Sequence, residues 1–157
     1  MRSAYIEQNS GAGGYLAPYQ RIIAAVTLTA VEDSGKGFLL DSAGGAYSIT
    51  LPTATGAAEG TNYKFGVEEN TPTGAITIAA GRAIIFGKVN ETEVDTSDDG
   101  PGSSGATGVS NVIFGTSAVK GDFLEFTFSH GAYWMFGSSA ADAAVTTSYS
   151  VRITPFG

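Results

Sequence analysis

The sequence predicts an all-β fold, namely a single-domain antiparallel β-sandwich of jelly-roll type that carries an extended N-terminal arm. Short segments in which apolar and polar residues alternate recur along the chain, as in half-buried strands. Polar or glycine-rich turns separate them at intervals of roughly 8 to 12 residues, which is typical of sandwiches and barrels. No long segment holds a helical period. We therefore predict an arm over residues 1–22 and a β-sandwich domain over residues 23–157.

The composition limits the classes of function. With 157 residues, of which 43% are hydrophobic and 15% charged, the chain can bury a core without covalent staples. It has no cysteine, which excludes disulfides, a thiolate nucleophile and cysteine-based metal sites. The net charge of −7 disfavours nucleic acid and anionic membranes as partners. No apolar run could cross a bilayer and the first residues lack the apolar core of a signal peptide, so we expect synthesis in the cytoplasm.

The predicted arm combines flexibility with apolar side chains. Residues 10–14 read Ser-Gly-Ala-Gly-Gly, and Pro18 interrupts regular structure. The apolar content exceeds what a plain linker needs, so we expect the arm to bind a partner. A disordered tail or an edge strand on its own domain is the alternative, because termini are poorly ordered unless something fixes them. The candidate partner-binding residues are Tyr5, Ile6, Tyr15, Leu16 and Tyr19.

Five strands are predicted in the first half of the domain. In each, apolar residues occupy every second position or form a short run, and turns rich in glycine or acidic residues separate the segments. Pro52 ends the third strand, because proline cannot donate to a sheet ladder. The predicted strands are 26–30, 38–40, 47–51, 63–67 and 76–78.

A short apolar repeat brackets a long polar segment. The string Ile-Ile-Phe-Gly at 84–87 recurs as Val-Ile-Phe-Gly at 112–115, which predicts two similar strands that are candidates to pair with each other. Residues 90–110 between them are rich in Gly, Ser and Asp, so we predict an exposed acidic loop. A loop of this length in a compact domain is usually functional or disordered.

The stretch 122–136 predicts an aromatic hairpin near the centre of a sheet. Residues 124–128 alternate between apolar and polar, and an aromatic run follows a Ser-His-Gly turn. Large aromatic side chains dominate the energetics of cores, so we expect Phe126 and Trp134 to be largely buried. A last strand is predicted at 145–153, at the edge of a sheet.

The acidic loop invites a test for calcium binding. Asp95, Ser97, Asp99 and Gly100 fall at positions one, three, five and six of a calcium loop. Position twelve is Ala106, which lacks the bidentate carboxylate that such a loop needs. We therefore expect a solvated acidic loop without a metal.

Catalytic groups are sparse. His130 is the only histidine and follows Ser129 directly, but neighbouring strand residues point to opposite faces, so a Ser–His relay is not expected. No spacing of the acidic residues selects a glycosidase pair, and the glycine-rich stretch 11–14 lacks the Lys-Ser/Thr pair of a phosphate-binding loop. We predict no enzymatic activity and no cofactor. The acidic residues considered are Asp41, Glu59, Glu68, Glu69, Asp122 and Glu125.

Three segments resemble the head decoration, or capsid cement, proteins of tailed bacteriophages. They are residues 26–52 (VTLTAVEDSGKGFLLDSAGGAYSITLP), residues 63–65 (Tyr-Lys-Phe), and residues 111–126 (NVIFGTSAVKGDFLEF) with the Tyr-Trp pair that follows at 133–134. The resemblance spans most of residues 23–136. Similar strings occur in other phage structural proteins, including tail and fibre components.

The resemblance implies a structural protein of the virion. Such a protein assembles as a homotrimer on the capsid exterior, binds the major capsid protein and stabilises the joints between its subunits, without catalytic residues. The alternative is a glycan- or receptor-binding module of a phage tail or fibre, in which Tyr133 and Trp134 would form an exposed stacking platform for a sugar. A buried Trp134 would favour the decoration protein, and an exposed Trp134 the glycan-binding module.

Overall fold

The computed structural model describes residues 6–8, 19–69, 72–80, 84–91, 103–140 and 145–148. These residues form thirteen β-strands and one helix of a single turn, which confirms the predicted all-β sandwich. The strands lie in two sheets that share one hydrophobic core. The elements are β1 (Ile6–Gln8), β2 (Tyr19–Ile22), β3 (Val26–Thr27), α1 (Ala30–Asp33), β4 (Lys36–Leu40), β5 (Tyr47–Thr50), β6 (Asn62–Val67), β7 (Ile76–Ala79), β8 (Ile85–Glu91), β9 (Ser103–Val109), β10 (Asn111–Phe114), β11 (Phe123–Ser129), β12 (Ala132–Ser139) and β13 (Val145–Ser148).

The larger sheet has eight strands and the smaller sheet has five. The order is β1-β2-β4-β6-β11-β12-β8-β9 in the larger sheet and β13-β10-β7-β5-β3 in the smaller one. The β11–β12 hairpin lies at the centre of the larger sheet, and β13 lies at an edge of the smaller sheet. Both placements confirm the predictions from the sequence.

In its first half the chain crosses to the other sheet after each strand from β2 onward. Neighbours in the larger sheet are therefore β2, β4 and β6, and neighbours in the smaller sheet are β3, β5 and β7. Each return runs in the same direction, so these neighbours pair in parallel, with Lys36 opposite Tyr63 and Tyr47 opposite Ile76. The predicted antiparallel pairing is thus corrected to a mixed one. A crossing connection does not reverse the chain as a hairpin turn does.

The core lies between the sheets and is built from the inward positions of both. Phe38, Phe65 and Phe126 are fully buried on three adjacent strands of the larger sheet. The ring centroids of Phe38 and Phe65 are 5.6 Å apart, and those of Phe65 and Phe126 are 5.8 Å apart with the rings edge to face. Ile49 and Ile78 are fully buried on the smaller sheet. The predicted burial of Phe126 is confirmed.

The β11–β12 hairpin closes in a two-residue turn. His130 and Gly131 both have positive φ, at 52° and 79°, which is the signature of a type I′ turn. On β11, the residues at 124, 126 and 128 are buried, and those at 125 and 127 are exposed, as the alternation predicts. The sequence therefore gives the hairpin correctly, including the face that each residue of β11 presents.

A one-turn helix replaces the end of the first predicted strand. Of residues 26–30, only Val26–Thr27 form a strand (β3), and α1 follows after Thr29. The Thr29 hydroxyl accepts a hydrogen bond from the Glu32 N–H at 3.2 Å, and the Asp33 carboxylate accepts one from the Thr29 N–H at 2.8 Å. This reciprocal capping satisfies donors that a helix start leaves unpaired. The returning carboxylate is that of Asp33, one residue after the Glu of the usual Thr-x-x-Glu pattern.

Three further boundaries differ from the predictions. Residues 6–8 and 19–22 of the predicted arm are β1 and β2 and belong to the larger sheet. Part of the predicted loop 90–110 is β9, which pairs with β8. The repeated segments 84–87 and 112–115 do not pair, because they contribute to β8 and β10 in different sheets. In each case the partner strand decides the structure, and a local pattern does not reveal that partner.

Candidate binding face

The outer face of the larger sheet carries a cluster of three aromatic side chains, which we call the aromatic cluster: Phe86, Trp134 and Phe136. Trp134 is 44% exposed and Phe136 is 66% exposed. Phe86 lies on β8 directly opposite Trp134 on β12. The rings of Phe86 and Trp134 stack with centroids 5.5 Å apart and an interplanar angle of 29°. Large apolar side chains gathered on a rigid central strand indicate a binding surface.

The predicted burial of Trp134 is wrong, and the pleat of β12 is the reason. Tyr133 and Met135 are buried, so Trp134 and Phe136 point to the opposite face. The Tyr133 hydroxyl donates a hydrogen bond to the Pro52 carbonyl at 2.8 Å, and burial raises the pKa of this phenol far above its ordinary value. Tyr133 therefore belongs to the core, and it does not form an exposed platform with Trp134.

The polar edge of Trp134 is already engaged. Its Nε1–H donates to the Ser129 carbonyl oxygen at 3.2 Å, at the tip of the same hairpin. One side of the indole faces the ring of Phe86. What the cluster offers to a partner is thus apolar surface rather than a hydrogen-bond donor.

A shallow groove of about 290 Å³ lies beside the aromatic cluster on the same face. It begins at β11, the neighbour of β12, and ends at β2. Four strand spacings, or roughly 19 Å, separate β2 from β12. The side chains and backbone that line it come from β2, β4, β6, β11 and the turn before β4. They are Tyr19, Gly35, Lys36, Gly37, Asn62, Tyr63, Lys64, Glu125, Phe126 and Thr127.

An ion pair lies in the middle of the groove. Lys64 on β6 and Glu125 on β11 are opposite each other, and Nζ and Oε1 are 2.7 Å apart. The Lys64 ammonium also lies 5.1 Å from the ring centre of Phe123. The hydrogen bond that Lys64 donates to Glu125 raises the pKa of Lys64. Because this pair is exposed, it contributes little to stability and is available to a ligand.

Tyr19 forms one wall of the groove, and Gly37 places it there. The two residues are opposite each other in the β2–β4 pair. A Cβ atom at Gly37 would overlap Cδ1 and Cε1 of the Tyr19 ring, so the ring occupies space that glycine leaves open. Tyr19 is 36% exposed. It is the one predicted partner-binding residue whose side chain the structure describes, and it lies in this groove.

The other predicted partner-binding residues are not placed. Tyr5, Tyr15 and Leu16 lie outside the described residues, whereas the backbone of Ile6 belongs to β1 and lies opposite Ile22. The edge-strand alternative for the arm thus applies to β1.

A cluster of charges joins β2 to the ends of β4 and β6. Arg21 forms ion pairs with the buried Asp41 and, at 2.6 Å, with Glu68. The Glu69 carboxyl group lies against Asp41 as well; its Oε2 is 3.4 Å from the Ser42 hydroxyl. Hydrogen bonding to Glu69 is the main cause that lowers the pKa of Asp41, whereas burial, followed by Asp41, raises the pKa of Glu69. Glu69 therefore takes up a proton before Asp41 as the pH falls.

The hairpin tip brings a serine and a histidine together, which the strand argument did not predict. Because His130 adopts a positive φ, its Nδ1 lies 2.8 Å from the Ser129 hydroxyl. Glu59 accepts a hydrogen bond from the His130 backbone N–H at 2.7 Å, so this carboxylate does not orient the imidazole ring. A nucleophilic serine needs a base, here the imidazole, that a third side chain orients. Among the described residues, this arrangement lacks that third side chain. The expectation that there is no catalysis remains a prediction.

The described part of the chain contains no group of three or more His, Asp or Glu residues that could hold a metal ion. The residues weighed for calcium, Asp95 to Gly100, lie outside it. Within the same part of the chain, no helix is long and apolar enough to span a membrane.

Comparisons with known proteins do not identify a family. Neither the models of known protein families nor the curated proteins contain a match to this sequence. The resemblance to phage decoration proteins rests on the motifs of the sequence alone.

Proposed function

We propose that this chain is a non-enzymatic structural protein of a phage virion that binds the outer surface of the capsid and stabilises the joints between major capsid subunits. The motifs that resemble decoration proteins support the class. The contact surface is assigned from Phe136, which is 66% exposed on the central strand β12 and adds apolar area beside Trp134. By the criterion given above, the exposure of Trp134 taken alone favours the glycan-binding alternative. Tryptophan and phenylalanine are enriched in protein interfaces, and a few such residues supply most of the binding energy.

The surroundings of the aromatic cluster fit a protein partner. Lys88 lies opposite Phe136 on one side and Glu125 on the other, so charged side chains of both signs border the apolar surface. An apolar centre with a polar rim is the usual anatomy of an interface. Apolar contact surface on strands held by hydrogen bonds on both edges also costs little ordering on binding.

We further propose that the protein acts as a homotrimer. A closed ring presents three copies of the aromatic cluster to a threefold position of the shell, so that weak contacts add by avidity, with gains of roughly 10² to 10⁴. The apolar residues of the arm are the material that would hold neighbouring copies or grip the capsid.

The test is binding to expanded, empty heads of the phage that encodes the chain. We expect Phe136→Ser to weaken co-sedimentation with the heads by about 30-fold, since an interface hot spot contributes at least about 2 kcal/mol. Val31→Ser is the matched control, because Val31 is 94% exposed on α1, which is not part of the larger sheet. Wild-type protein that neither binds the heads nor raises their melting temperature would refute the proposal. Equal binding by both variants would refute the assigned surface.

A second candidate is a glycan- or receptor-binding module of a phage tail or fibre. The exposure of Trp134 favours it, since an exposed indole can stack on the apolar face of a sugar. The engaged Nε1–H and the stacked Phe86 leave this platform without a polar handle of its own. A glycan array on which wild type binds and Trp134→Ala does not, combined with no binding to heads, would select this candidate.

A further inference from the structure

We propose that the groove is a saccharide site, which stacks a neutral sugar ring against Tyr19 and hydrogen-bonds it through Lys64, Glu125 and Thr127. None of these residues belongs to the aromatic cluster, so the proposal does not rest on capsid binding.

Tyr19 supplies the apolar wall. Its ring lies where a side chain at Gly37 would lie, so the sheet supports the ring from beneath while more than a third of the residue stays exposed. A ring held in this way needs no ordering when a ligand arrives, which lowers the entropic cost of binding. The C–H face of a pyranose is a suitable apolar partner for such a ring.

The ion pair supplies a donor and an acceptor side by side. The Lys64 ammonium donates and the Glu125 carboxylate accepts, with 2.7 Å between them. Adjacent sugar hydroxyls can each donate and accept, so two of them can engage both members of the pair. Thr127 lies two positions along β11 from Glu125 and adds an exposed hydroxyl. These three groups line one side of the groove, and Tyr19 lines the other.

The charge of the groove favours a neutral ligand. Lys64 is neutralised by Glu125, and Lys36 lies 3.7 Å from the Asp33 carboxylate. No excess of one sign is left to select a phosphate, a carboxylate or an ammonium group. A polyol makes use of paired charges, whereas an ionic ligand has to displace one member of the pair.

The size of the groove limits the ligand to one or two sugar rings. At about 290 Å³ it lies at the lower end of the range of roughly 300 to 1,000 Å³ for small-molecule sites. Because the groove is shallow and covers one side of the ligand, we expect a dissociation constant on the order of 1 mM.

The test is a titration of the full-length ¹⁵N-labelled protein with maltose, cellobiose and lactose, followed by NMR. We expect the backbone amides of Gly37, Lys64 and Glu125 to shift with at least one of these sugars; Gly37 and Lys64 are the decisive ones, since they do not lie opposite the aromatic cluster. Thr127→Val, which removes the hydroxyl at an exposed position, should weaken binding about fivefold or more. Thr77→Val on the smaller sheet is the control and should leave the affinity unchanged.

A pair of glycine variants tests the role of the Tyr19 ring. Gly37→Ala should displace the ring and weaken binding about tenfold, whereas Gly66→Ala on β6 meets its neighbours at 3.8 Å or more and should leave the affinity unchanged. The absence of shifts in the groove with all three sugars at tens of millimolar would overturn the proposal. Shifts confined to the aromatic cluster, or equal affinity of Gly37→Ala and wild type, would overturn it too. Head binding measured on the same variants reports separately on the capsid proposal.

Discussion

Two neighbouring residues of β12 show how the pleat of a strand separates stability from binding. Tyr133 is buried and hydrogen-bonds the loop after β5, whereas Trp134 stands on the outer face beside Phe86. Both are large aromatic residues, and they have different tasks. Loss of a core side chain chiefly lowers the stability of the fold, whereas loss of an exposed contact side chain chiefly weakens binding to the partner.

Substitutions on the two faces should therefore differ in cost. Phe126→Ala leaves a cavity in the core and should lower the free energy of unfolding by about 3 to 5 kcal/mol. Trp134→Ala removes one stacked pair on the surface and should lower it by about 1 kcal/mol. Urea unfolding of the two variants measures both values. Equal losses would mean that Trp134 is part of the core after all.

The paired carboxyl groups of Asp41 and Glu69 predict a dependence of stability on pH. The pKa of Asp41 is lowered from 3.8 in the folded state, so its contribution is complete above pH 3.8 and is lost as the pH falls through the folded value. The pKa of Glu69 is raised from 4.5, so its contribution is complete below pH 4.5 and is lost as the pH rises through the folded value. The pair therefore stabilises the fold most between pH 3.8 and 4.5.

The substitution Glu69→Gln tests whether the Glu69 carboxylate destabilises the fold at neutral pH. At neutral pH the amide can donate to Asp41 where a second carboxylate would repel it, so we expect the free energy of unfolding to rise by about 1 kcal/mol. Chemical unfolding from about pH 4 to 8 should show a flatter profile than wild type. Glu68→Gln is the control; it removes an ion pair of Arg21 and should not raise stability. A Glu69→Gln variant less stable than wild type at neutral pH would contradict the raised pKa of Glu69.

At the scale of the elements, the parallel pair of β8 and β12 joins β8 and β9 to the other six strands of the larger sheet. Gly87 lies opposite Met135 in this pair, with φ at 149°. A Cβ atom at Gly87 would overlap the Met135 carbonyl oxygen. This oxygen belongs to the backbone of the paired strand and cannot easily move aside. The close approach of the strands thus requires glycine at this position.

Gly87→Ala should consequently lower the free energy of unfolding by roughly 2 to 4 kcal/mol, through backbone strain and weakened pairing. Gly66→Ala is a matched control in the same sheet, since its Cβ would make ordinary contacts and should cost less than about 1 kcal/mol. Thermal and urea unfolding measure both. Similar costs for the two variants would contradict the tight β8–β12 contact.

Sequence patterns predicted some elements well and others poorly, for physical reasons. The buried and exposed positions of β11 were predicted correctly because its alternation is strict, whereas the aromatic run of β12 has no polar residue to show which side faces outward. The parallel crossings of the first half carry no local signal, because a connection between sheets has the same composition as a turn. The groove was not predictable either, since Tyr19, Lys64 and Thr127 meet only through the order of the strands.

At the scale of the whole molecule, the arm links the fold to the proposed assembly. β1 occupies an edge of the larger sheet by pairing with β2 over three residues. Deleting residues 1–18 should leave the domain folded, because the first buried side chain among the described residues is that of Ile22. We expect the deletion to weaken trimerisation or head binding, which light scattering and co-sedimentation measure.

Two results would contradict this assignment. Light scattering that shows only monomers of the intact chain at micromolar concentration would count against the trimer. Unchanged head binding by the deletion variant would count against a role of the arm at the capsid.

The order in which strands enter the larger sheet has a consequence for synthesis on the ribosome. β8 pairs with β12, and the partner of Ile85 is Tyr133, which is synthesised 48 residues later. At roughly 5 to 20 residues per second, that delay is about 2 to 10 s. During this time one edge of β8 has no partner. Slow elongation across residues 92–132 should therefore increase aggregation of the nascent chain, whereas the same slowing after Ser139 should not.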